Sequence, residues 1–165
     1  MRRISALILV LLMSLSLFAA QGEDAAPENA YQKIKMSFTR EDIETLFDEG
    51  IKENEYIRFD DVLCAFFESG RLQAKSLYYQ DIRDVAAPTK GDFAAVRDKK
   101  QGTPEQELSD ILGEGTEVLR MNLSDEDDAG QRKLIAWKNA EGGVMEALFE
   151  IDDGEWILFA LGEIA

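Results

Sequence analysis

Apolar positions along this chain fall into three patterns. Ile4 to Ala20 is an apolar block broken only by Ser5, Ser14 and Ser16. Ile43, Leu46 and Phe47, and later Leu108, Ile111 and Leu112, recur at the i, i+3, i+4 spacing of one helix face. After each of these stripes the period becomes extended. Strands are predicted at Tyr56–Phe59, Val62–Phe67 and Arg71–Tyr79, and again at Val118–Met121, Gln131–Asn139, Val144–Ile151 and Glu155–Leu161. Ser69-Gly70, Gly142-Gly143 and Asp153-Gly154 supply the turns, and Asn122–Gly130 reads as an acidic loop.

Both helix starts are legible. Thr39 is an N-cap with Asp42 at N3, close to a capping box, and Phe38 and Ile43 occupy the staple positions. Thr103 is the second cap, with Pro104 at N1 and Gln106 at N3, and Gly113 ends that helix. Upstream of each, Tyr31 and Ile34 align with Phe93 and Val96. The chain therefore reads as one unit used twice. The expected fold is α+β: two tandem halves, each two helices followed by an antiparallel sheet, with the helices packed on one face of a combined sheet. The halves are residues 31–85 and 86–165, linked around Asp81–Lys90. One half alone would bury only a thin core.

The apolar block follows Met1-Arg2-Arg3 and precedes Gln21-Gly22-Glu23-Asp24. This is the pattern of a secretory signal peptide over residues 1–22, with the cut expected after Gly22 and Ala19 and Ala20 as other cut positions. An uncleaved anchor is the competing reading. No Cys ends the block to serve as a lipoprotein attachment point. Residues 23–30 read as a flexible leader. Cleavage takes away Arg2 and Arg3 and no acid, carrying the net charge from −15 to −17. A secreted or periplasmic bacterial protein is expected, since a disulfide-free extracellular animal domain of this size is unusual, with no stable membrane anchor after cleavage.

Composition narrows the chemistry. The 165 residues include no His and one Cys. A Ser-His-Asp or Cys-His dyad, a His-metal site and a Cys-x-x-Cys pair are excluded. With 33 acidic against 18 basic residues, the chain repels the phosphates of nucleic acid. Asp125–Asp128 lacks the closing Glu of a calcium loop and reads as a solvated loop. Asn122-Leu123-Ser124 matches a glycosylation sequon, read as chance in a bacterial protein. Cys64, inside an apolar run, reads as a buried small hydrophobe. No catalytic residue, cofactor or metal ligand is assigned.

Tyr31-Gln32-Lys33-Ile34-Lys35-Met36-Ser37-Phe38-Thr39-Arg40-Glu41-Asp42-Ile43 resembles the opening motif of the SmpA/OmlA and β-lactamase-inhibitor-protein-like (BLIP-like) tandem modules. Those modules begin with an aromatic, a short Ile-Lys helix, a Gly-Met-Thr turn and a Glu-rich capped helix ending in Leu-Gly. Here Ser37-Phe38 replaces Gly-Met and Asp48-Glu49-Gly50 replaces the terminal Gly, whereas Gly102-Thr103 and Leu112-Gly113 keep the pattern. Phe66-Phe67-Glu68-Ser69-Gly70-Arg71-Leu72 is similar to the closing hairpin. The resemblance implies two helix-plus-sheet halves whose concave sheet binds another protein. It implies no shared activity.

Strand parity then points to a surface, with the last strand left open: Trp156, Leu158 and Ala160 alternate with Ile157, Phe159 and Leu161 and both sets are apolar, so one face is covered either by the other half or a loop, or by a partner. With Ile57, Phe59, Leu72, Ala74, Tyr78, Met145, Ala147, Phe149 and Ile157 beneath the helices, the opposite positions share the helix-free face. On that face the expected partner site is Tyr56, Arg58, Tyr79, Leu148, Trp156 and Leu158, rimmed by Arg71, Lys75, Glu146 and Glu150, with Gln73 and Leu77 also outward. The expected function is a non-enzymatic module binding another protein. The alternatives are a small-ligand binder using the sheet cavity and a small hydrolase.

Overall fold

A computed structural model describes residues 28–47, 51–52, 56–59, 61–126 and 130–164. The expected signal peptide, most of the leader segment and Asp48-Glu49-Gly50 lie outside the described residues, as do Asp127 and Asp128 of the acidic loop. In chain order the elements are α1 (Glu28–Lys33), α2 (Arg40–Leu46), β1 (Ile51–Lys52), β2 (Tyr56–Phe59), β3 (Val62–Phe66) and β4 (Leu72–Leu77). Then come α3 (Ile82–Val85), β5 (Ala87–Pro88), a 3-10 turn (Phe93–Ala95), α4 (Glu105–Leu112), β6 (Thr116–Asn122), β7 (Gln131–Lys138), β8 (Val144–Asp152) and β9 (Glu155–Ile164). The architecture is α+β. The strands β1-β2-β3-β4-β6-β7-β8-β9 lie side by side in one antiparallel sheet, and β5 adds a short parallel pairing to β7. The centre of the sheet is the β4–β6 ladder, with Ala74, Lys75 and Ser76 opposite Met121, Arg120 and Leu119.

Local chemistry explains most boundaries. Thr39 accepts from the Asp42 amide, and the Asp42 carboxylate accepts from the Thr39 amide at 2.8 Å, a complete capping box at the start of α2. The start of α4 differs from the expectation by one residue. Pro104 holds the N-cap position in extended geometry because it bridges Ile157 of β9, and the Thr103 hydroxyl turns back to the Lys100 carbonyl. Gly113, at φ +84°, ends α4 as expected. Asp153 and Gly154 both take positive φ, the two-residue turn that matches strand twist. At Gly70 the loop is longer: Phe67 pairs with Arg71 across Glu68, Ser69 and Gly70. The chain is already helical at Glu28, ahead of the start expected near Tyr31.

Cross-strand partners share a face, so the register defines two faces. On the first, Ile57, Cys64, Lys75, Arg120, Lys133, Phe149 and Leu158 follow one another across the sheet. On the second, Arg58, Leu63, Ser76, Leu119, Leu134, Leu148 and Ala160 do. α4 meets the first face, where Leu108 and Leu112 pack with Ile135, Trp137, Met145, Ala147, Phe149 and Leu158. α1 meets it through Lys75. The short helix α3 belongs to the second face, which corrects the expectation that the helices share one face: the Lys138 amine donates to the Arg83 carbonyl at 2.8 Å, and the Arg83 guanidinium to Gly142 O at 2.8 Å. Ile82 and Ala86 there join Leu119, Leu134, Ala136 and Val144 in one buried cluster. The middle of the second face is thus covered by the segment that links β4 to β5.

Candidate functional site

The six residues expected to form one surface are divided by the register. Tyr56, Arg58 and Leu148 lie on the second face, all half-buried, but that face also carries α3 and is not the helix-free face that was expected. Tyr79 packs against the cluster that includes Ile82 and Ala136. Its hydroxyl is pushed up to about 12, first by burial and then by the Glu146 carboxylate. Trp156 and Leu158 are on the first face, which corrects the expectation. Leu158 is fully buried opposite Phe149, in the cluster with Leu108 and Leu112, and Trp156 packs against that cluster.

The cause is a β-bulge. Leu148 pairs with Ala160, but Phe149 pairs with Leu158, so Phe159 is an extra residue and parity inverts on either side of it. The same device sits in the first hairpin, where Ala65 pairs with Ala74 but Phe66 pairs with Leu72. Leu72 is beneath the helices as expected, whereas Ala74 faces the other way. Lys75 and Leu77, expected to point outward, are buried on the first face. Tyr78, expected inward, lies under the Arg58 guanidinium of the second face at 5.2 Å from its ring centre. Glu146 and Glu150 do occupy the second face, and burial raises the Glu146 carboxyl above its usual range.

The corrected register brings together a group that sequence reasoning missed. Lys75, Arg120 and Lys133 are consecutive cross-strand partners on β4, β6 and β7. Like charges opposite one another repel, and each is held by a different element. The Lys75 ammonium donates to the carbonyls of Tyr31 and Ile34, both at 2.9 Å, closing the end of α1. Burial depresses it to about 8 against the opposing pull of Glu117. Arg120 pairs in a bidentate fork with Glu117, which also accepts from the Tyr31 hydroxyl at 3.0 Å. Lys133 pairs with Glu105 of α4 at 2.7 Å. The Trp156 ring stacks near two of the three cations, 4.4 Å from the Lys133 amine and 5.3 Å from the Arg120 guanidinium. The one signal along the chain is that Lys133 opens an otherwise apolar run, Leu134–Trp137.

Beside this group lies a cleft of about 760 Å³ between α4, the start of β6 and the β8–β9 hairpin. Its lining includes Trp156, Ile135, Lys133, Glu105, Glu114 and Glu155. Two glycines shape its wall. A Cβ on Gly115 would fall 2.3 Å from Ile135 Cγ2 and 2.5 Å from Trp137 Cε2. Gly113 uses its positive φ and gives its carbonyl to the Trp137 indole at 2.8 Å.

Two other sequence features are placed. The Asn122 amide donates to the carbonyls of Met36 and Leu72, so its side chain serves the joint between β4 and β6. Cys64 is buried, and burial pushes its thiol up to about 12. Among the described residues no three His, Cys, Asp or Glu side chains gather as a metal site, and no helix is long and apolar enough to cross a membrane. Compared with known families and curated proteins, the chain matches no family model and no curated protein.

Proposed function

We propose that this is a non-enzymatic interaction module, secreted or periplasmic and of bacterial origin, that binds another protein. The observation that carries the reading is the half-exposed patch of Tyr56, Arg58, Leu63 and Tyr78 on the second face, with Arg58 stacked over Tyr78. Tyr and Arg are the residue types that anchor protein interfaces, because each offers a large contact area with a polar tip. Strand β2 also presents its side chains from a sheet, a rigid support for such anchors.

Matched details support two copies of one unit, the arrangement that the SmpA/OmlA and BLIP-like resemblance implies. The Leu72 amide donates to Phe38 O at 2.9 Å beside the Thr39–Arg71 bridge, and the Leu158 amide donates to Thr103 O at 2.7 Å beside the Pro104–Ile157 bridge. In both places the strand after the hairpin holds the segment that starts the following helix. Both hairpins carry a bulge at the pair next to this contact, Phe66–Leu72 and Phe149–Leu158. Tyr31 and Ile34, like Phe93 and Val96, are buried. In this reading the halves join at the β4–β6 ladder, and α1, α2 and α4 share the first face.

The test is capture of an envelope or culture-medium protein from the producing cell, repeated with a Tyr56→Ala/Arg58→Ala variant. One protein retained by the parent and lost by the variant, with melting unchanged, supports the reading. Equal retention by both forms rejects this surface, and a co-purifying small molecule in place of a protein rejects the class of function.

A further inference from the structure

We propose that the cleft on the first face is a receptor for a Lys or Arg side chain from a basic segment of a partner. The cleft has an apolar side and a charged rim. The partly exposed Trp156 ring offers a surface for a methylene stem. Glu114 and Glu155 stand at the rim, both exposed, and their carboxylates make no ion pair or hydrogen bond among the described residues. The other charges are already committed: Lys133 to Glu105, and Arg120 below it to Glu117. Lys90 lines the cleft as a countercharge, its stem lying along Gly113. The local balance is therefore negative, and the net charge of −15 steers a basic partner toward it at long range. The volume of about 760 Å³ accommodates a long side chain with its flanking backbone.

This site is separate from the Tyr56–Arg58 patch, and either can fail without the other. The chain has two Trp residues, and Trp137 is fully buried, so a change in emission caused by a ligand in the cleft reports Trp156. Tetra-arginine peptide serves as the probe, with Trp156→Phe as the spectral control. Saturable quenching is expected, and Glu114→Gln/Glu155→Gln should weaken it by about fivefold, the scale of two exposed charge pairs. A remote pair with the same charge change, Glu68→Gln/Asp84→Asn, should weaken it by less than about twofold at an ionic strength of roughly 0.1 M. No saturation, or equal weakening by the remote pair, overturns the proposal.

Discussion

The Lys75 ammonium lies 2.9 Å from the carbonyl oxygen of Ile34, in the middle of the sheet's first face. It carries a charge in a site 6% exposed, and burial lowers its pKa to about 8. In the unfolded chain the same amine titrates near about 10.4. Between these values the unfolded chain holds a proton that the folded one has released. Stability contributed by Lys75 is therefore lowest below pH 8 and rises with pH across the window. Relative to Lys75→Met, the parent should gain about 2 kcal/mol between roughly pH 7.5 and 9.5. Urea melts of both proteins across this range check it. A constant difference would mean that Lys75 is not desolvated.

Gly115 should not tolerate a side chain. Its Cβ would meet Ile135 and Trp137, both buried and unable to withdraw. Gly115→Ala should cost roughly 3 kcal/mol or more by overpacking, and denaturant unfolding measures it. A loss within experimental error would show that β6 can shift outward.

The two helix caps should respond differently. Thr39→Ala removes a complete capping box and should cost about 1 kcal/mol. Thr103→Ala removes a hydroxyl that bonds Lys100 rather than α4, so helix α4 should lose no cap. Equal effects on helix protection, read by amide exchange in α2 and α4, would contradict this placement.

Leu158 and Tyr56 were expected to share one surface, and mutation separates them. Leu158→Ala opens a cavity beneath α4 and should cost about 2–5 kcal/mol. Tyr56→Ala, on the half-exposed second face, should cost less than about 1.5 kcal/mol. Thermal melts settle the pair, and a Leu158→Ala protein as stable as the parent would return Leu158 to the surface.

Residues 23–85 and 86–165 should each fold poorly alone. One buried cluster holds Leu77, Ile82 and Ala86 together with Leu119, Met121, Leu134 and Val144, so the cut exposes apolar surface on both pieces. Two independent cooperative melts would refute a shared core.

The elements themselves were legible along the chain because local chemistry sets them. Thr39 with Asp42, Gly113, and Asp153-Gly154 need only neighbouring residues to act, and alternation marks a strand wherever one side is buried. Pairs that depend on distant partners were not legible. Pro104 leaves the helix because Ile157 pairs with it from β9. The linking segment, with Ile82 and Ala86, fills a face that sequence left open, and nothing in its own pattern names that face.

By itself the sequence determined that strands follow a helix twice, where the turns fall, and that His-dependent chemistry is absent. Tertiary structure alone decided which side each strand presents. A bulge adds one residue to one strand of a ladder, and here one falls at Gln73 and another at Phe159. One extra residue moves every following side chain to the other face, because the strand repeat is two. That inversion put Trp156 beside Lys133 and Lys75 beneath α1, and so placed the candidate cleft on the first face.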